Sequence, residues 1–149
     1  MTYAITATGW RAVPDDMRPS QLSPGETLVT EISDEILASM SSARAPQLIA
    51  ARRFTAETAG ITVGGMAIDT GRDSQALITG ARLAGMDDPS YVCNWKTPEG
   101  FIQLNAETVR AVANAVRAHV QACFDREAAL LTMVEDGSYT EAALDEGWP

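Results

Sequence analysis

Two glycine-bearing turns, each set between short runs rich in β-formers, commit the middle of this chain to antiparallel strand pairs. Ile61-Thr62-Val63 and Met66-Ala67-Ile68 flank Gly64-Gly65. A two-residue turn of the primed type needs positive φ at its centre, which glycine adopts without steric cost. Tyr91-Val92-Cys93-Asn94-Trp95-Lys96, the turn Thr97-Pro98-Glu99-Gly100 and the return run Phe101-Ile102-Gln103-Leu104 repeat the arrangement. At Asn105 the apolar period changes. Val109, Val112, Val116, Val120, Cys123, Leu130 and Val134 step mostly by three or four, which predicts one helix over 105–135 with a single buried stripe. Asn105 is placed to cap it, and Leu104 and Val109 to staple its entry.

The remaining elements are shorter. A helix is expected near 73–84, capped by Thr70 or Asp73 and ended by Gly85-Met86-Asp87-Asp88-Pro89. Ser33-Asp34-Glu35 opens an earlier helix with Ile36, Leu37 and Met40 on its apolar face. Ser41 to Pro46 interrupts that helix, and a second runs from 47 to 58. Residues 1–32 read as an extended arm. Strand candidates lie at Tyr3–Thr8, continuing through Trp10–Val13, and at Leu28–Ile32, while Pro14, Pro19 and Pro24 break the segment. So proline-rich an arm is expected to lack a core and to be ordered by another chain. The reading is an α+β fold: two antiparallel hairpins with flanking helices, a long C-terminal helix and an extended N-terminal arm. It divides into an arm and short helix at 1–43, an α+β domain at 44–135 and an acidic tail at 136–149.

An apolar fraction of 46% suffices for a core, while 20 acids against 11 basic residues give a net charge of −9. Such a surface repels phosphate backbones, so nucleic acid is not an expected partner. No apolar run approaches the roughly 20 residues of a membrane span, and the N-terminus lacks the pattern of a signal peptide. Synthesis in the cytoplasm is expected. Cys93 and Cys123 lie far apart in apolar runs and read as small buried hydrophobes.

No catalytic constellation, cofactor or metal site is legible. His119 and Cys123 stand at i and i+4 on a predicted helix, but no third group orients them. Asp15-Asp16 and Asp87-Asp88 lie in turns beside prolines and read as solvated. Gly60, Gly64 and Gly65 precede no Lys-Ser/Thr and form no phosphate cradle. The candidate sites are contact residues: Trp10, Trp95, Val120, Phe124 and Leu131. Trp95 reads either as core cover, with Cys93 or Phe101, or as an interface anchor; alternation sends neighbouring Lys96 to solvent. Beyond Cys123 the stripe runs into Phe124, Leu131 and Val134. Apolar surface on more than one side of a helix calls for a second partner.

Taken together, Arg53, Glu57, Gly60, Ile61, Val63, Gly65, Met66, Ile68, Thr70, Arg72, Ser74, Gln75 and the run Ala76–Ala81 form a pattern. With Trp95–Phe101 and His119–Glu127 it resembles a domain family of unknown function from tailed bacteriophages and prophages, typically encoded beside tail-fibre genes. The resemblance spans roughly residues 44–135. It implies a structural, non-enzymatic part of the virion tail that binds fibre or baseplate proteins, or alternatively a fibre-assembly chaperone absent from the mature virion. Because fibres are commonly trimeric, analogy implies a homotrimer or a fibre-bound complex. A small receptor-directed hydrolase is the reading from another class, and no acid–base pair outside turns supports it.

Overall fold

In chain order, the first elements are β1 (Thr2–Ile5), β2 (Trp10–Val13), β3 (Thr27–Val29) and α1 (Asp34–Glu57). Then come β4 (Ile61–Val63), β5 (Met66–Ile68), α2 (Arg72–Asp87), β6 (Val92–Thr97), β7 (Gly100–Asn105) and α3 (Ala106–Asp136). The computed structural model describes all residues, Met1–Pro149. Three helices and three small antiparallel sheets make this an α+β chain with a long C-terminal helix, as the residue pattern predicts.

Both central hairpins form. Gly64 and Gly65 take φ of 57° and 82°, and Ile61 pairs with Ile68 across them. On the second hairpin Cys93 pairs with Leu104, Trp95 with Ile102 and Lys96 with Phe101. Strand alternation therefore turns Cys93, Trp95, Ile102 and Leu104 inward, and Asn94, Lys96, Phe101 and Gln103 outward. Phe101 is 73% exposed, so it does not cover the core with Trp95; it shares the outward face of Lys96.

The long helix begins as expected. The Asn105 side chain accepts the Thr108 amide at 2.9 Å. It ends in a Schellman turn: Gly137 takes φ of 79°, and the Ser138 amide donates to the Met133 carbonyl at 2.9 Å. Val109, Val112, Val116, Cys123 and Leu130 are buried along one stripe. The cap of α2 differs from expectation. Gly71 holds the N-cap position, because Thr70 is committed elsewhere and the Asp69 carboxylate takes the Gly71 amide.

Two expectations are corrected. Helix α1 is continuous through Pro46. A mid-helix proline removes one hydrogen bond and costs about 3 kcal/mol. Pro46 lies on the exposed side, where the Ser42 carbonyl it deprives is open to water. Burying Met40, Ala45 and Ile49 offsets the loss. Leu37 is not part of that buried face and stays 45% exposed. The 43/44 border read from the sequence consequently falls inside a helix.

The N-terminal segment is not simply an extended arm either. Its strand candidates close on one another in a three-stranded sheet of order β2-β1-β3, with Ala4 and Val13 buried. The prolines occupy the β2–β3 connection, so none interrupts a ladder. A bidentate pair, Arg11 to Glu26 at 2.8 and 2.9 Å, fastens β2 to the approach of β3.

By internal contacts the chain forms two compact units. One comprises Met1–Ile49 and Leu130–Leu144, the other Ala50–Ala129 and Asp145–Pro149. The second is built on Ile68, Ile78, Val112 and Val116, against which Ile61, Val63, Met66, Trp95 and Val120 pack. Its share of the acidic tail is docked: the Arg126 Nε donates to the Glu146 carbonyl at 3.0 Å, and the Arg52 guanidinium lies 5.5 Å from the Trp148 ring centre.

Candidate functional site

Burial of Ile78 against Val112 and Val116 fixes the rotation of α2 about its axis. At 100° per residue, the same rotation turns Ala76, Leu77 and Gly80 outward, and Leu77 is 65% exposed. Facing them is β6. A groove of about 700 Å³ lies between the two, lined by Ala76, Leu77, Gly80 and Ala81 on one side and by Tyr91 and Cys93 through Lys96 on the other. Phe101 of β7, the cross-strand neighbour of Lys96, lines the groove too, so the groove extends over the outward face of the hairpin. β6 has β7 as its sole ladder partner, and β5 lies close beside it without joining a ladder.

Polar groups at the groove are few. The Asp69 carboxylate accepts the Ser74 hydroxyl at 2.5 Å and the Gly71 amide at 2.9 Å, and these bonds hold its pKa below the usual aspartate value. Lys96, the chain's one lysine, is exposed and makes no ion pair. Leu83, Met86 and Phe101 leave further apolar surface open on α2 and β7, at 58%, 63% and 73% exposure.

A second cluster centres on Glu57, 2% exposed at the end of α1. Arg53, one turn earlier, pairs with it and with Glu127 of α3, the latter at 2.9 Å. Gln75 of α2 donates to Glu57 Oε1 at 3.1 Å and to the Thr70 carbonyl at 2.8 Å. Arg72 approaches to 3.5 Å. Burial alone would raise the Glu57 pKa; the Gln75 and Arg53 hydrogen bonds and the charges of Arg72 and Arg53 outweigh it and hold the group below its usual value. The Thr70 hydroxyl donates to the Glu57 carbonyl at 2.6 Å and accepts the Gly60 amide at 2.9 Å. Many of the polar residues of the pattern quoted above thus converge here. Their partners are one another, so the arrangement ties α1, α2 and α3 together within the second unit.

His119 and Cys123 are neighbours, with Nε2 to Sγ at 3.9 Å. The carbonyl of Ala56 lies 3.0 Å from the same Nε2, and a carbonyl can only accept, so this nitrogen carries the proton there. It is not free to take one from the thiol. Burial pushes the Cys123 thiol up, and the charge of Glu57 adds to that. Cys93 is half-buried, not fully buried as expected, and both cysteines are free thiols. No cluster of three His, Cys, Asp or Glu side chains gathers as a metal site would.

The five contact residues read from the sequence are not one patch. Trp95 is half-buried against the second unit's core, where it also walls the groove; Val120 packs on the same core. Phe124, 42% exposed, lies in the same unit with the Arg53 guanidinium 4.5 Å from its ring centre. Trp10 and Leu131 belong to the first unit. Trp10 is 53% exposed and meets Tyr3 edge to face at 5.5 Å, while Leu131 is half-buried. Sequence reasoning missed Leu77 and Gly80, whose exposure depends on which face of α2 enters the core. It missed the Glu57 cluster too, although Arg53 and Glu57 at i, i+4 were a readable local sign.

No helix is long and apolar enough to cross a membrane. No curated protein and no solved structure is detectably similar to the chain. Residues 41–146, the greater part of the sequence, match the domain of unknown function DUF4376, and the chain belongs to that family.

Proposed function

We propose that this protein is a structural, non-enzymatic component of a bacteriophage tail that binds the fibre or baseplate through the second unit. The resemblance of Arg53–Ala81, Trp95–Phe101 and His119–Glu127 to a tail-associated phage domain supplies the setting. The observation that carries a binding role is the open apolar surface around the α2–β6 groove, with Leu77 65% exposed on a chain of net charge −9. Contiguous apolar surface of this kind marks interaction sites on otherwise well-solvated proteins. The polar clusters are committed to the fold, since Glu57, Arg53, Gln75 and Thr70 satisfy one another.

Quantitative mass spectrometry of purified virions tests the reading. A fixed stoichiometry to the fibre or baseplate proteins is expected. Abundance in infected cells with absence from virions would overturn it in favour of an assembly chaperone.

A further inference from the structure

The structure assigns a small-molecule site to the opposite flank of α2: the cleft between α2 and α3 binds a single phosphoryl group, carried on a compact apolar body, through Arg82 and Arg117. The site stands apart from the α2–β6 groove and does not depend on the tail role.

The helix period builds it. Gln75, Ile78, Thr79 and Arg82 recur at i, i+3, i+4 and i+7 on one flank of α2, and burial of Ile78 against Val116 turns that flank towards α3. On α3 the buried Val116 and the half-buried Val120 supply an apolar floor, while Asn114, Arg117 and Gln121 form a polar edge beside it. The cleft holds about 350 Å³, at the small end of ligand pockets, which suits a phosphoryl group with a compact body.

Three observations name the occupant. First, two guanidinium groups line one cleft, and no acid lines it. The chain has 20 acids to 11 bases, yet neither arginine forms an ion pair, and every residue three or four positions from either of them is uncharged. Arg53, by contrast, is neutralised by Glu57 and Glu127. Like charges that share a cleft repel, and an anion between them removes the repulsion. Second, the uncommitted polar groups are suited to a dianion. Each guanidinium presents a planar fork of N–H groups that fits paired phosphoryl oxygens, and the exposed Asn114 amide adds further donors one turn from Arg117. Thr79 and Gln121 already donate, to the Gln75 carbonyl at 2.9 Å and to Asp125 at 2.8 Å. Two cations match the charge of a phosphomonoester, whereas a carboxylate brings only one negative charge. Third, the net charge of −9 limits the ligand's size. A long phosphate backbone meets the acidic surface and is repelled, while one phosphoryl group in the cleft lies close to the two cations and is screened from the more distant acids.

Isotope-labelled full-length protein is titrated with phenyl phosphate at constant ionic strength, and backbone amide and arginine Nε–H shifts are followed. Saturable shifts centred on residues 75–82 and 113–121 are expected. Arg82→Gln and Arg117→Gln should each weaken binding about tenfold or more, the worth of a charge-assisted hydrogen-bonded pair, with the melting temperature unchanged. Arg110→Gln removes an exposed arginine of α3 outside the cleft and should leave the affinity unchanged. Benzoate should bind more weakly because it lacks the second charge, and inorganic phosphate because it lacks the apolar body; duplex DNA should not bind. Equal affinity for benzoate would overturn the phosphoryl assignment, equal affinity for inorganic phosphate the assignment to an ester, and tighter binding of DNA the restriction to a small molecule. The absence of saturable binding, or a loss in Arg110→Gln as large as that in Arg82→Gln, would overturn the site itself. If the same shifts arise on concentrating the protein alone, acids of a second copy fill the cleft and the assignment to a small molecule is wrong.

Discussion

Replacing Thr70 by valine exchanges one buried hydroxyl for a methyl group and changes almost nothing else. Thr70 is fully buried, and its Oγ1 serves two backbone groups, the Glu57 carbonyl at 2.6 Å and the Gly60 amide at 2.9 Å. These are the last carbonyl of α1 and the glycine that turns the chain into β4. Valine has nearly the same volume, so no cavity opens. What changes is that one donor and one acceptor lose their partner in a site from which water is largely excluded. Each such unmet group costs about 1–3 kcal/mol, so the two together should destabilise Thr70→Val by roughly 2–6 kcal/mol. Out of a total of about 5–15 kcal/mol for a typical domain, that is a large fraction. A loss near 3 kcal/mol, in the lower half of that range, lowers Tm by roughly 6–12 °C for a chain of this size. Scanning calorimetry and urea unfolding read the global effect; amide exchange at Gly60 reads the local one and should quicken. Thr70→Ser keeps both hydrogen bonds and loses one methyl group, at about 1 kcal/mol. The reasoning is refuted if valine stays within about 0.5 kcal/mol of wild type, or if serine is no better than valine.

Arg53→Ala leaves the Glu57 carboxylate buried and Glu127 without its partner, and should cost about 3 kcal/mol or more in urea unfolding; Arg53→Lys should recover part of it. Gly80→Ala should stabilise by about 0.5–1 kcal/mol, since the position is mid-helix with open space beside it; a lowered melting temperature would show that Gly80 is packed. The Arg11 guanidinium first, then the Ser23 amide, hold Glu26 at about 2 instead of 4.5. A carboxylate depressed in the fold contributes its stability above its unfolded pKa and loses it as pH falls through the folded value. Amide protection of β1–β3 should therefore decline between pH about 4.5 and about 2, and Arg11→Met should remove that acid-sensitive part.

The hairpins and α3 were legible because their signals are local. Gly64-Gly65 at positive φ, the Asn105 cap and the stripe from Val109 to Leu130 need no knowledge of the rest of the chain. The continuity of α1 was not legible, since the cost of Pro46 can be read from one residue, whereas the burial of Ala45 and Ile49 that offsets it depends on tertiary neighbours. The N-terminal strands were visible as candidates, but β3 joins β1 across a connection holding three prolines, and prolines in sequence argue for a break wherever they fall. The groove was least legible. Its walls come from elements separate in sequence, and the exposure of Leu77 follows from how Ile78 is buried. Neither is encoded within a window of ten residues.

The arrangement of the sheets also sets a timetable for folding. Two of the three join strands across turns of two residues, Gly64-Gly65 and Pro98-Glu99, and β1 meets β2 across Thr6–Gly9; the β1–β3 pairing alone spans a long connection. Closing a short loop costs little chain entropy, and hairpins of this kind form in about 1–10 μs. The rate of folding is then governed by the slower search that brings α1, α2 and α3 of the second unit onto those hairpins and engages Glu57 with Gln75 and Arg53 with Glu127. An isolated two-stranded hairpin is only marginally stable in water, so β4–β5 and β6–β7 persist only once Ile78, Val112 and Val116 of the helices cover them.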